Sequence, residues 1–517
     1  CGGTVDLFEL LEFAEGSERT VYIFDSHRPY HLGLVHATQE EVCVFESEAD
    51  HVKVPGVDVW IEAVQAAEEE DDEEDEEDED EEDPQEAAAE EEEEEDPEGD
   101  GSVAGKRPAG ATASQREYKR QRNHRRACAE LVTDYYRGEY SSRSASQLLY
   151  VLATQLRRDN NDLLWLAIIG LTDQFLHDRI DRMKYIAEVE ELQEEVLRHN
   201  VESDDGNQDS SSSRSANWVK ITFEEEFRFL LLRHWTLYDS MFYSNYVVSK
   251  LGLWREPGRV SMQRLLARMG LPLEECRQKY SHMKADMKRS LREKMTQYAP
   301  EFGLENITYG SFSKQHGFRF SLAAADVVHA VYGLLEAPSV GGETVASWEQ
   351  NFYHSFKALA NNGSTVFEEG IKKAKSMQMS TARKGMQMED RKMIKSFPSF
   401  RHAVFEAKGE DAVFLSSHAL RKLALFLMEL DRHNPKKSLK PLVLGAHAPD
   451  STMALVVAVT GTSRTGLVQK NNFGRTFDVV ADQSQVNIQQ RGFDASVIEI
   501  ERDRITDFLA ELCVNLH

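Results

Sequence analysis

Three side chains in this sequence could do chemistry together: Asp25 and His27, in Asp25-Ser26-His27 just after the apolar run Val21-Tyr22-Ile23-Phe24, and Asp173 far downstream in Gly170-Leu171-Thr172-Asp173. Two carboxylates and an imidazole at the ends of buried elements are the donors that hold a divalent ion at the edge of an α/β sheet. Ser26 between them offers no nitrogen ligand. Three donors would hold at most one weakly bound Mg²⁺ or Mn²⁺, and a close metal pair needs more bridging ligands to offset its own repulsion. The alternative is structural: an Asp at a strand end accepting backbone N–H bonds, a His filling a polar gap, and Asp173 capping a helical turn.

The elements that would position them alternate. Residues 5–60 give a short helix, the strand Val21–Phe24 and a second apolar run, Val42–Phe45, which is an α/β rhythm. An acidic insertion over 62–114 interrupts it. Residues 68–100 carry 26 Asp or Glu, which account for all but 4 of the formal net charge of −30. Such a run repels itself and buries no apolar surface, so disorder is expected there, and the remainder is close to neutral. The basic stretch Lys106 to Arg126 that follows reads as a nuclear import signal, a nucleic-acid contact or a solvated helix face.

Helices are expected over 148–156, 163–176 and 183–197, and 202–217 reads as a linker. In the middle, Phe223, Phe227, Leu230, Leu231, His234, Tyr238 and Met241 fit one helical face, and Leu273 to Leu291 a second helix started by Pro272. The Met-rich, Lys-rich run 371–396 reads as an exposed linker helix. After residue 400, strands are expected over 412–415, 441–444, 454–459 and 496–500, with helices over 420–430 and 505–512, a separate small α/β domain. Arg475, in Asn472-Phe473-Gly474-Arg475, reads either as a turn in which Gly admits a phosphate and Arg pairs with it or as a plain turn.

Five scattered cysteines without a Cys-x-x-Cys argue against a disulfide framework or a zinc ribbon and fit a reducing compartment. No apolar stretch is long enough to span a bilayer, so a soluble intracellular protein is expected. The opening Cys1-Gly2-Gly3 reads as a turn after a missing strand, an amino-terminal truncation.

Six landmarks in order carry a family resemblance: Phe24 to Pro29, the acidic insertion, Leu164 to Gln174, Met269 to Leu273, Asn472 to Arg475, and Phe493 to Glu499. Together they resemble the cell division control protein 45 family, the eukaryotic replication-fork relatives of RecJ-like Asp-His-His (DHH) phosphoesterases. The resemblance implies an α/β fold with a large all-α insertion. Its parts would be a degenerate DHH-type parallel-sheet domain over 1–200, a helical partner-docking insert over 218–320, a helical connector over 321–400 and a DHHA1-like α/β domain over 401–517. It implies a non-catalytic nuclear scaffold of the replicative helicase, acting in initiation and elongation. Partners would be the MCM hexamer, the GINS complex, initiation factors, the polymerase machinery and, weakly, single-stranded DNA near Arg475. In that pattern Ser26 replaces a histidine, so Asp25, His27 and Asp173 are remnants of a metal site, with no catalytic residue, bound metal or cofactor expected. Two other readings stand beside it: an active single-strand exonuclease, which Ser26 argues against, and an acidic histone chaperone, which the folded majority of the chain argues against.

Overall fold

Val21–Ile23 and Val42–Val44, rich in β-branched residues, pair in parallel, and Ile23 and Val42 join Leu7 and Leu34 in a small core. The computed structural model describes residues 3–5, 7–10, 20–37, 42–45, 54–67, 113–205, 219–317, 320–336, 344–360, 364–432, 439–461, 470–490 and 494–516. The acidic run 68–100 and most of the linker 202–217 lie outside them. A helix over 57–67 precedes that run and the helix Ala113–Tyr135 follows it, joined by an ion pair of 3.2 Å between Glu62 and Arg125. Arg125, one of the basic residues of 106–126, therefore has a local partner.

The helices Ala145–Gln155 and Asn161–Leu176 start at well-formed caps. The Ser144 side chain and Gln147 satisfy each other's backbone N–H groups, and Asn160 accepts from Asp162 and Leu163. Gly170 lets the two helices close: a Cβ there would lie 2.0 Å from Ser146 Oγ and 2.7 Å from Ser144 Oγ. The helix Arg182–Asp205 packs against both, with Gln147 bonded to Glu188 and Tyr150 to Glu195.

The middle departs from its all-α reading. Val219–Phe227 is a strand, paired antiparallel over nine residues with Thr308–His316, which pairs in turn with Phe320–Ala323. The apolar residues of this segment recur at four-residue steps as well as two, so the helical period fits them equally. The β-branched Val219, Ile221 and Thr222 favour the strand, and Leu231 at φ +50° ends any helix through it. Between these strands lie the helices Leu237–Phe242, Asn245–Leu251, Glu256–Arg268 and Ala285–Tyr298. The stripe from Leu273 to Leu291 is not one helix either: it breaks into Leu273–Cys276, the turn Tyr280–His282 and the start of Ala285–Tyr298. Tyr280 N–H donates to Trp235 C=O at 2.8 Å, a tertiary bond that replaces a helical one. Cys276, Met283 and Leu291 are still core residues.

Residues 324–390 contain the helices Ala324–Leu335, Thr344–Ala360 and Thr365–Asp390. The last is central rather than exposed. It buries Met377 and Met388, and its Lys384 is buried over the Phe405 ring with Nζ 2.6 Å from Asp411 Oδ2. A lysine that finds a carboxylate and an aromatic face can enter a core, which charge patterning does not reveal.

At the end of the chain a six-stranded mixed sheet runs in the order Ile488–Gln490, Val497–Glu501, Met453–Val459, Leu442–His447, Arg401–Glu406, Lys395–Ser396. The strand expected at 412–415 is a 3₁₀ turn, Gly409–Leu415, and Arg401–Glu406 takes its place beside Leu442–His447. That strand was hidden by its polar first residue, Arg401, which is buried because Asp431 pairs with it. One face of the sheet, with Leu442, Leu444 and Val457, is continuous with the core of the helical middle. The other, with Val443, Val456 and Ile498, packs under the helices Phe473–Ser484 and Ile505–Asn515. Among the described residues no helix is long and apolar enough to cross a membrane.

Candidate functional site

Asp25 follows the first strand and is almost fully buried. Its Oδ2 accepts the Gly3 N–H at 3.0 Å; its Oδ1 accepts the His27 N–H at 3.0 Å and lies 2.7 Å from His27 Nδ1. Its carbonyl accepts from Arg28 Nη1 and from the Tyr30 hydroxyl, both at 2.9 Å. Burial alone would raise the Asp25 pKa, but the His27 contacts and the Gly3 N–H hold it well below the usual carboxylate range. The carboxylate is thus spent on the loop that carries it.

Asp173 lies in the last turn of Asn161–Leu176, not at a helix start, so it is no N-cap. His177 Nδ1 is 3.0 Å from its Oδ1 and Arg179 Nη1 4.0 Å from its Oδ2. Burial pushes its carboxyl up, yet His177 and Arg179 outweigh it and hold the group at about 2. Asp25, His27 and Asp173 do not converge on one point. Among the described residues the only place where three metal-ligand atoms come within 4.8 Å of one another is Asp159, Glu195 and His199. There Arg198 bonds Asp159 at 2.6 Å and Glu195 at 2.5 Å, and the Tyr150 hydroxyl donates to Glu195 at 2.7 Å. That network is already satisfied.

Asp25, His27 and Asp173 instead border a seam with the last domain. The backbones of Glu139 and Asn471 exchange two hydrogen bonds, each 2.8 Å, which stitches the first part of the chain to the last. Gly138 stands at φ +86°, where a Cβ would lie 2.3 Å from Asn472 Oδ1. Gly474 abuts Ala495: a Cβ on Gly474 would be 2.6 Å from the Ala495 Cβ. The landmark Asn472 to Arg475 is therefore a clasp packed against Ala495 of the landmark Phe493 to Glu499.

Asp494 is bonded by Arg421 and by Ser496. Burial raises its carboxyl, and Arg421, Ser496, Arg179 and His27 together bring it below its ordinary value, so charges from both sides of the seam meet here. Glu139 is pushed up to about 7 by burial and by the nearby Asp494.

Arg475 is not in a turn but in the first turn of the helix Phe473–Ser484. Its Nη1 donates to Thr133 C=O at 3.1 Å and its Nη2 lies 3.4 Å from Thr133 Oγ1, while the side chain stays exposed. Glu139, His177, Arg179 and Arg421 belong to the seam and were not singled out from the sequence. Arg421 falls on an amphipathic helix, Ser417–Arg432, where its type and spacing match any solvated face; no signal in the sequence marks it.

The CDC45 family model matches residues 1–515. The chain belongs to the CDC45 family. Family membership makes it a DNA replication initiation factor in the coarse sense. It is 32 % identical to the cell division control protein 45 homolog of Schizosaccharomyces pombe, across 99 % of this chain and 86 % of that one. The human homolog of the same name is 29 % identical over the same shares. A crystal structure of CDC45 from Entamoeba histolytica is similar in fold with a TM-score of 0.63, at 21 % identity, covering 100 % of this chain and 83 % of that chain.

Proposed function

We propose that this CDC45 family member is a non-catalytic nuclear scaffold of the replicative helicase, holding the MCM hexamer and the GINS complex through initiation and elongation and engaging single-stranded DNA weakly. The observation that carries the non-catalytic part is the state of the remnants: Asp25 is consumed by Gly3 and His27, Asp173 by His177 and Arg179, and the two do not face a common ion. A hydrolase of the two-metal type needs those groups free and gathered. The seam they border joins distant parts of the chain, a structural use for the same residues.

The scaffold part rests on family membership and on surface. The helix Thr344–Ala360 leaves Trp348, Phe352, Tyr353 and Phe356 each more than half exposed, an apolar display larger than scattered surface residues need. The insert over 218–320 shares its core with the last sheet, so its exposed side is a fixed face suited to docking. The test is to mix the purified protein with MCM and GINS and separate the mixture by size. Co-elution of all three ahead of any one of them is the expected result; three independent peaks would contradict the scaffold.

A further inference from the structure

A cavity of about 490 Å³ opens where the helical insert, the end of Asn161–Leu176 and the helix Ser417–Arg432 meet, away from the Glu139–Asn471 clasp. Its size falls within the range of small-molecule pockets. Its lining includes Arg182 and Arg228 and, against the helix Ala324–Leu335, Lys422, whose Nζ lies 5.2 Å from the centroid of the Tyr332 ring. Arg182 and Arg228 repel each other, burial disfavours the charged form of Arg228, and burial brings Lys422 down to about 8. Among the described residues none of the three forms an ion pair. The guanidinium of Arg228 lies instead over two rings, 6.0 Å from the centroid of Phe175 and 5.1 Å from that of Tyr246.

The nearby acids Glu429 and Asp178 favour the charged form of Arg228, but burial outweighs them. Glu429 is taken by Arg432. Asp178 is pushed towards its neutral form by burial and by Glu429. Like charges close together in a half-enclosed site are costly unless an anion comes between them, and guanidinium groups are the usual receptors for phosphate.

The wall contributed by Ala324–Leu335 and Thr365–Asp390 offers the opposite chemistry. Gln378 is 2 % exposed; its Nε2 donates to Tyr243 C=O at 2.8 Å and Asn245 Oδ1 at 2.7 Å, leaving its Oε1 without a donor. The carbonyl partner fixes which end of the amide is which. Asp326, 4 % exposed, is already occupied: its Oδ2 faces Arg233 Nη1 at 3.7 Å and His234 Nε2 at 3.5 Å. The buried Gln378 Oε1, left open, calls for a donor.

We propose that this cavity binds a nucleotide, with its phosphate at Arg182 and Arg228, its ring beside the aromatic wall, and an amino-bearing base donating to Gln378. The nucleotide is either free or the phosphorylated end of a strand, two sources with one chemistry. The proposal does not depend on the scaffold reading.

The test is equilibrium dialysis of the whole protein against radiolabelled AMP, with adenosine and inorganic phosphate as competitors. Saturable AMP binding is expected, with adenosine and phosphate each competing at least tenfold less well than AMP. R182A, at a partly exposed site, should weaken AMP at least tenfold with an unchanged urea midpoint, and Q378M should weaken AMP while leaving phosphate binding unchanged. A 5′-phosphorylated oligonucleotide that competes better than AMP assigns a strand end; one that fails to compete assigns a free nucleotide. No saturable AMP binding at millimolar concentration, or AMP binding unchanged in both variants, would overturn the proposal.

Discussion

Replacing Glu139 with Gln should change how stability depends on pH and little else. The Glu139 carboxyl, displaced from 4.5 to about 7 by burial and by Asp494, accepts the Ala495 N–H, a bond the amide oxygen of Gln can also accept. The folded state holds this proton more tightly than the unfolded chain. The stabilisation it brings is therefore fully present below about pH 4.5, declines as pH rises to about 7, and is absent above that. At about 1.4 kcal/mol per pH unit the ceiling is roughly 3 kcal/mol, and partial access of water to the group reduces this to about 1–2 kcal/mol. E139Q has no such proton to lose. Urea denaturation followed by tryptophan fluorescence should find the two proteins of similar stability at pH 5 and E139Q more stable by about 1–2 kcal/mol at pH 8. Glu226 and Glu336 are displaced in the same direction but are present in both proteins, so they cancel in the difference. A difference that stays constant from pH 5 to pH 8 would refute the account of the seam.

G474V should cost about 1–3 kcal/mol by forcing apart Gly474 and Ala495, read as a lower urea midpoint with faster proteolysis between residues 136 and 142; an unchanged midpoint would show that the clasp yields freely. Arg475→Ala should weaken single-stranded DNA binding and flatten its salt dependence, since an exposed guanidinium at a helix start suits a phosphate; identical salt series for the two proteins would remove Arg475 from the strand path. Deleting 68–100 should leave the melting temperature within a degree or two, because a self-repelling run buries little apolar surface, and a large drop would contradict this.

What could be read from the sequence follows the physics of each segment. Val42–Val44, Leu442–His447 and Met453–Val459 are unbroken β-rich runs and were legible as strands. Val219–Phe227 was not, because Phe223 and Phe227 satisfy two periods at once and only the partner strand Thr308–His316, some ninety residues on, decides between them. The burial of Thr365–Asp390 was hidden because Lys384 looks like a surface residue until Asp411 is beside it. Asp25, His27, Asp173 and Arg475 could each be picked out by type and spacing. Their actual partners, Gly3, His177 and Thr133, could not, since two of the three contacts bridge segments that local patterning treats as independent. The seam that joins Glu139 to Asn471 is a long-range pairing of this kind.

The most direct test of the claim that Asp25, His27 and Asp173 do no metal chemistry is a nuclease assay on the protein, using end-labelled single-stranded DNA and Mn²⁺. The account predicts intact DNA with both the unaltered protein and the Asp25→Ala variant. Cleavage by the unaltered protein that Asp25→Ala abolishes would contradict it.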